Sequence, residues 1–356
     1  MRANAFAAWA QSMPQLKMET RLDWPLESSH AIYRFGVGLY NWIQQRAPFL
    51  HHVYFNFLEL FPPCRSARVL LGAEKFRATL DEFRPDIVLS MHGSLNHGYF
   101  EAARSFLGRE RVRCVTYCGE LSGGYGFSRN WVNPEADLFI GPVAETCEAA
   151  IDHGMPREKT KVGGFLLRPE FYETSREGER PREPRQFVLL LSASSRGANN
   201  HIIFLEALKR NRIDIEVKVL CGNSTTTIEQ VTKWSKQNQA PRVQIVPSDA
   251  NIAALLQNVS AVVARPGVGT TCEAIMAGCP LLLNCLGGAM PQERITVKFC
   301  RKHRLAQTLH SPDDLARIVS LWKSDASAME TIQRHMETVR PKSHPREIVA
   351  SVAALG

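Results

Sequence analysis

The sequence predicts an α/β protein of two domains, each a parallel sheet covered by helices. Three observations carry this. The chain has 356 residues, too many for one ordinary α/β core and enough for two. After residue 186, short apolar runs alternate with amphipathic helical segments, the pattern of a parallel sheet covered on both faces. Between two such patterns lies TSREGERPREPR at 174–185, highly charged and holding two prolines, which offers no core face and reads as a linker. The expected organisation is an N-terminal domain over 1–173, the linker 174–185, a C-terminal domain over 186–340 and a last helix over 341–356.

The second half is the more regular. FVLLLSAS (187–194), IEVKVLCG (215–222), VQIVP (243–247), AVVA (261–264) and LLLN (281–284) are expected strands. GANNHIIFLEALKRN (197–211), TTTIEQVTKWSKQNQ (225–239) and segments 249–258, 268–277 and 290–303 are expected helices. Helices are also expected over 312–323 and 326–339, with a last one after Pro341.

The first half is less regular. Residues 28–61 read as aromatic-rich helical material, with Tyr33, Phe35, Tyr40, Trp42, Phe49, Tyr54, Phe55, Phe57 and Phe61 inside 29 residues. A helix over 67–83 is expected to lead to the strand DIVLSM (86–91), followed by strands RCVTY (113–117) and DLFIG (137–141), the helix AETCEAAIDHG and a short strand KVGG (161–164). No N-terminal strand followed by a glycine-rich loop and helix is found.

Composition narrows the function. Hydrophobic residues make up 44% and charged residues 22%, as in a globular protein. No apolar run reaches the roughly 20 residues of a membrane span, and the N-terminus lacks the basic start, apolar middle and cleavage site of a signal peptide. A cytoplasmic protein is expected. The nine scattered cysteines, without paired zinc-site spacing, read as buried reduced thiols and no metal site. A formal net charge of +8 suits anionic partners, but the basic residues are spread out and carry no nucleic-acid module. Nucleic acid is not an expected partner.

The loops after the second-half strands are SASSRGANN, CGNSTTT, VPSDAN, ARPGVGTT and CLGGAMPQE. All are rich in small and polar residues and are expected to cluster at the carboxyl ends of the strands, where such sheets bind ligands. In ARPGVGTTCEA, the glycines allow close backbone approach, the helix N-terminus offers unpaired N–H groups, and Thr270 and Thr271 add hydroxyls, which suits a phosphate. Glu273 is placed to accept from the paired hydroxyls of a ribose. The plainer reading is a tight turn with an acid near a helix start. SSRGANN offers a second such turn, and Gln292 and Glu293 an amide and an acid for sugar hydroxyls, or simple helix capping.

With these loops in order, VVARPGVGTTCEAIMAGCPLLLNCLGGAMPQE resembles the donor-site segment of the GT-B glycosyltransferases of family 28. These include monogalactosyldiacylglycerol synthases, processive diacylglycerol glucosyltransferases and the transferase that puts N-acetylglucosamine on lipid I. VLLLSASSRGANN, VKVLCGN and VQIVPSDANIAALL extend the likeness through the second half. WPLESSHAIYRF, RPDIVLSMHGSLNH and KVGGFLLRPEF resemble the diacylglycerol branch.

The resemblance implies a GT-B fold with the acceptor side on 1–173 and the nucleotide-sugar side on 186–340. It implies a UDP-sugar donor, an acceptor such as diacylglycerol, inversion at the sugar carbon, and no bound metal or other cofactor. Gly267, Val268, Gly269, Thr270 and Thr271 match the diphosphate loop, and Glu273 the ribose acid. Gln292 and Glu293 match the sugar-reading pair, and Ser195, Gly197 and Asn199 the other diphosphate loop. Ile245, Val246 and Pro247 match the wall beside the base, and Gly222 falls in the matching segment VKVLCGN.

In the family, a glycine-rich loop after the first N-terminal strand carries a key catalytic residue, and this sequence lacks it. A misplaced start or a truncation is the favoured explanation, and a natural variant that binds the donor but turns over poorly is the competing one. The remaining base candidates are His92 and His97, after a strand end, and Glu120, in the loop YCGELSGGYG. Each also has an ordinary reading, a hydrogen-bonded histidine or an exposed loop acid. The aromatic stretch, with Arg34, Arg46, Arg65 and Arg68 nearby, suits an anionic membrane face as well as it suits core packing. A UDP-sugar 2-epimerase and a non-catalytic nucleotide-sugar binder are the alternatives. An oxidoreductase is disfavoured, because neither half opens with a strand–GxGxxG–helix unit.

Overall fold

A computed structural model describes residues 2–46, 50–60, 64–173, 186–192 and 200–356. The expected linker 174–185 lies outside the described residues, as do Ser195, Gly197, Asn199, Phe49 and Phe61. The chain divides into two compact units. The first comprises Met1–Pro169 with Met290–Ile295 and Pro341–Gly356, and the second Glu170–Ala289 with Thr296–Arg340.

The first unit is built on four parallel strands, β1 (Ile87–Ser90), β2 (Arg113–Tyr117), β3 (Leu138–Gly141) and β4 (Thr160–Val162), in that order. Pairing sets Ile87 opposite Arg113, Val115 opposite Leu138 and Phe139 opposite Thr160. Among the described residues no strand precedes Ile87, and the chain before it is helical: Arg2–Gln11, Ala31–Arg46, His51–Leu60 and Ala73–Phe83.

The single helix expected over 67–83 is instead a short turn, Ala67–Val69, and the helix Ala73–Phe83. Gly72 breaks it, with φ at 72°, and a Cβ there would meet Ser29 O at 2.5 Å. Only glycine fits a left-handed residue at such close approach.

One core cluster of this unit gathers Phe100, Cys114, Phe127, Trp131, Phe139 and Met155. The other cluster gathers Tyr33, Phe76, Leu80, Tyr99 and Val112. Phe139 is completely buried, which contributes about 1.5–3 kcal/mol. Asp137 pins a helix to the sheet: its Oδ2 accepts from Arg104 Nη2 at 2.8 Å and from Cys114 N at 2.7 Å.

The second unit has six parallel strands: β5 (Val188–Leu191), β6 (Glu216–Leu220), β7 (Arg242–Val246), β8 (Ala261–Ala264), β9 (Leu281–Asn284) and β10 (Ala306–Leu309). Their spatial order is β10-β9-β8-β5-β6-β7. Strand order therefore reverses direction between β5 and β8, and ligands of doubly wound sheets bind outside the carboxyl ends at such a point. Strands β8 and β9 are buried along their whole length, which is why AVVA and LLLN carry no polar alternation. Edge strand β7 alternates exposed and covered residues.

Helices Thr225–Gln237, Ile252–Gln257 and Pro312–Ser324 are capped by Ser224, Asn251 and Ser311, whose side chains accept from Thr227 N, Ala254 N and Asp314 N. Ser311 and Asp314 complete a reciprocal capping box. All nine cysteines are buried.

Candidate functional site

The second unit presents its candidate residues around the switch point. Gly267 is the N-cap of the helix Val268–Ala277, in extended conformation and with no side chain capping it. Thr271 N returns to Gly267 O at 3.1 Å. Among the described residues no side chain takes up the N–H groups of Val268, Gly269 and Thr270, unlike those at the three side-chain-capped helices. Thr271 is fully buried, and its Oγ1 makes no hydrogen bond among the described residues. An unsatisfied buried hydroxyl costs about 1–3 kcal/mol unless something binds it.

Glu273, one helical half-turn on, is 5% exposed and already engaged within the protein. A carboxylate has about four acceptor positions, so one partner does not exhaust it.

Three polar ties hold the loops around this helix start. Arg265 Nη1 donates to Leu286 O at 3.1 Å and Nη2 to Gly288 O at 2.9 Å, joining the loops after β8 and β9. Asn284 Nδ2 donates to Asn200 Oδ1 at 2.8 Å, joining the end of β9 to the helix His201–Arg210. His201 Nε2 lies 3.0 Å from Leu220 O at the end of β6. Burial lowers the His201 pKa to about 4, so the ring is neutral at pH 7, and it must carry its proton on Nε2, because a carbonyl only accepts.

Of the expected wall residues, Val246 is buried, Ile245 half-buried and Pro247 exposed at the end of β7. Gly222 is left-handed, with open space around it. Arg265, Asn284 and Asn200 were not singled out by sequence; a polar residue ending a buried strand is the signal that marks Asn284.

The first unit holds the other candidates. Gln292 and Glu293 open the helix Pro291–Lys302, and Met290–Ile295 belong to this unit. Glu293 is buried and its Oε2 accepts from Met290 N at 2.9 Å, a capping bond. The Gln292 Oε1 is buried and makes no hydrogen bond among the described residues. Glu293 thus has the structural role open to it from sequence, while the Gln292 oxygen still lacks a donor.

Glu120 follows β2 by three residues. It is not an exposed loop acid: its Oε2 is buried and makes no hydrogen bond among the described residues. Desolvation raises its pKa to about 7, against the opposing pull of Arg2 and a hydrogen bond from Trp131. The Trp131 ring also meets His92, centroid to centroid at 6.5 Å. His92 and Glu120, from the ends of β1 and β2, therefore converge on one tryptophan. Desolvation lowers the His92 pKa, although the residue is solvent-accessible. Its Nδ1 accepts from Ser94 N at 3.2 Å, which fixes the ring.

His97 stands apart from this pair, at the start of the helix Gly98–Leu107. Its pKa is lowered by desolvation and then by the charge of Arg65. Tyr40 is a neighbour that sequence did not mark. Burial, then the charges of Glu293 and Glu120, push its phenol up to about 12, so at neutral pH it is a hydrogen-bond donor and not a base. No group of three His, Cys, Asp or Glu side chains able to hold a metal is found among the described residues.

Comparison with known proteins gives the family that this segment resembles. Residues 192–292 match the glycosyltransferase family 28 C-terminal domain, a span holding the whole switch-point helix and ending on Gln292. Monogalactosyldiacylglycerol synthase 1 of Arabidopsis thaliana is 23% identical over 267 residues, 72% of this chain and 49% of that protein. The processive diacylglycerol beta-glucosyltransferase of Bacillus subtilis is 20% identical over 272 residues, 75% of this chain and 68% of that protein. The chain spans about half the length of the first and two thirds of the second. Among solved structures, MurG of Acinetobacter baumannii superposes with a TM-score of 0.57 at 16% identity, covering 80% of this chain and 77% of that one. Two parallel-sheet units of this kind are the GT-B fold.

Proposed function

We propose that this chain, which carries a glycosyltransferase family 28 C-terminal domain on a GT-B fold, moves a hexose or N-acetylhexosamine from a UDP-sugar to the hydroxyl of a lipid such as diacylglycerol. One observation supports the reading: the helix start at Gly267, without a side-chain cap, and the Thr271 hydroxyl, which makes no hydrogen bond among the described residues, lie at the strand-order switch inside the matched domain. Donors awaiting an acceptor at that place suit a diphosphate.

On this reading the loop Gly267 to Thr271 holds the diphosphate, through the N–H groups of Val268, Gly269 and Thr270 and the hydroxyls of Thr270 and Thr271, and Glu273 holds the ribose hydroxyls. Ser195, Gly197 and Asn199 form the second diphosphate loop. Ile245 to Pro247 and Gly222 line the base, and Gln292 and Glu293 read the sugar. The diacylglycerol named in the two relatives supports the acceptor class.

The chemistry follows from the charges. Glu120, half-ionised near pH 7, removes the proton from the acceptor hydroxyl as its oxygen attacks the anomeric carbon from the face opposite the diphosphate. The carbon–oxygen bond to the diphosphate breaks, UDP leaves with the electron pair, and the sugar carbon inverts. Amide donors and the positive end of the helix dipole stabilise the departing charge, so no metal is required.

The acceptor side has a fitting surface. Helices Ala31–Arg46 and His51–Leu60 hold Tyr33, Ile43 and Phe55 inward and expose Ile32, Phe35, Trp42, Val53, Phe57 and Leu60, with Phe35 71% exposed. Among the described residues no helix is long and apolar enough to cross a membrane. A peripheral contact of this face with the cytoplasmic leaflet accounts for such exposure.

The test is UDP release from a UDP-hexose, in EDTA, with diacylglycerol in vesicles. Glu120→Gln is expected to lower turnover by about 10²–10⁴-fold, with UDP affinity retained. Unchanged turnover in that variant overturns the assignment of the base.

A further inference from the structure

We propose that Arg2 is a positioning residue for Glu120: its guanidinium, delivered by the helix Arg2–Gln11, fixes the Gly119–Glu120 turn and keeps the carboxylate available to accept a proton. The inference rests on the reading of Glu120 as the base.

The contact is a built one. Arg2 Nη2 donates to Gly119 O at 3.0 Å across 117 residues of sequence. A Cβ at Gly119 would lie 1.8 Å from Arg2 Cζ and 1.9 Å from Nη1, so the guanidinium occupies the space that the absent side chain leaves. Any larger residue at 119 would expel it. The next residue is Glu120, whose backbone O accepts from Thr146 Oγ1 at 2.5 Å and whose carboxylate meets Trp131. The turn is therefore gripped from the N-terminal helix on one side and from the helix Ala144–Asp152 on the other.

The N-terminal helix is anchored far from Arg2. Trp9 Nε1 donates to Leu167 O at 2.7 Å in a buried bond. The Trp9 ring meets His344 edge-on at 4.8 Å and lies 5.8 Å from the Arg346 guanidinium carbon. Ala5, Phe6 and Ala10 are buried along the same helix. Arg2 is held half-buried, where its charge is only partly screened.

The electrostatic consequence has a definite sign. Burial favours the neutral form of Glu120, and Arg2 favours the charged form. The other groups that interact with Glu120 are Cys118, a deeply buried thiol on the same loop, and the Tyr40 phenol from Ala31–Arg46, both neutral at pH 7. His92 meets the same Trp131, and Glu293 shares its influence on Tyr40. Among the described residues Arg2 is thus the cation that acts directly on this carboxylate. Without it, fewer Glu120 side chains are ionised at pH 7, and a base-dependent rate loses its neutral-pH optimum.

The experiment uses the full chain with glutamate carboxyls labelled with ¹³C, and Glu120→Gln to assign the signal. Arg2→Met is expected to raise the Glu120 titration midpoint by about one pH unit or more, and Arg2→Lys to restore most of it. Circular dichroism confirms that each variant is folded. The acidic limb of kcat/KM for transfer should move upward by the same amount in Arg2→Met, with KM for the UDP-sugar unchanged, and vanish in Glu120→Gln. An equal Glu120 midpoint in all three Arg2 forms overturns the inference. A midpoint that moves while the rate profile stays fixed removes Glu120 as the base, which is the failure of the underlying reading and not of the contact.

Discussion

Thr271 N donates to Gly267 O at 3.1 Å and so closes the first turn of its helix, while the hydroxyl of the same threonine is buried and makes no hydrogen bond among the described residues. The N–H of Thr271 is satisfied within the turn and its hydroxyl, among the described residues, is not. Natural proteins leave few buried hydroxyls unbonded, and a phosphate oxygen is the acceptor that this place suits.

Thr271→Val keeps the shape and removes the hydroxyl. Folding stability is expected to stay level or rise slightly, since a desolvated polar group disappears. UDP affinity is expected to fall by about 1–2 kcal/mol in calorimetry. Loss of stability with unchanged UDP affinity would show that the hydroxyl serves the fold.

Glu273→Ala removes the carboxylate assigned to the ribose. We expect UDP to bind about 1–3 kcal/mol more weakly. Because Glu273 is buried and engaged, the comparison is with inorganic diphosphate, whose affinity should be unaffected. An equal loss for both ligands would assign Glu273 to the scaffold.

Glu120 makes a prediction about stability that needs no substrate. Its pKa rises from 4.5 to about 7 on folding. Below pH 4.5 the carboxyl is protonated in both states and contributes no difference. Between 4.5 and 7 the unfolded chain releases a proton that the folded protein retains, so wild-type stability falls relative to Glu120→Gln. The variant should gain up to about 3 kcal/mol by pH 7 and then level off, as urea unfolding at stepped pH will report. A gap independent of pH would mean that the carboxyl is not desolvated.

Sequence revealed the second unit more fully than the first, for a physical reason. Buried parallel strands such as Ala261–Ala264 and Leu281–Asn284 are apolar throughout and stand out between small-residue loops. Strand Ala306–Leu309, AQTL, sits at the sheet edge and is partly exposed, so it has no apolar run that would mark it in the sequence. The break at Gly72 depended on a left-handed conformation that an isolated glycine does not announce. The glycine-rich surroundings of Glu120 suggested an exposed loop. The turn beside it is held by Arg2, a residue distant in sequence. The roles of Arg2, Tyr40 and Trp131 are tertiary facts with no local signature, whereas ARPGVGTTCEA is a local motif whose geometry the chain carries within itself.

The central claim is sugar transfer to a lipid hydroxyl, and mass spectrometry of the lipid tests it most directly. The purified chain is incubated in EDTA with diacylglycerol vesicles and, in turn, UDP-glucose, UDP-galactose and UDP-N-acetylglucosamine. The account predicts a monoglycosyl diacylglycerol from at least one donor, with one UDP released per sugar transferred. UDP-sugars that bind yet yield neither glycolipid nor UDP would contradict it.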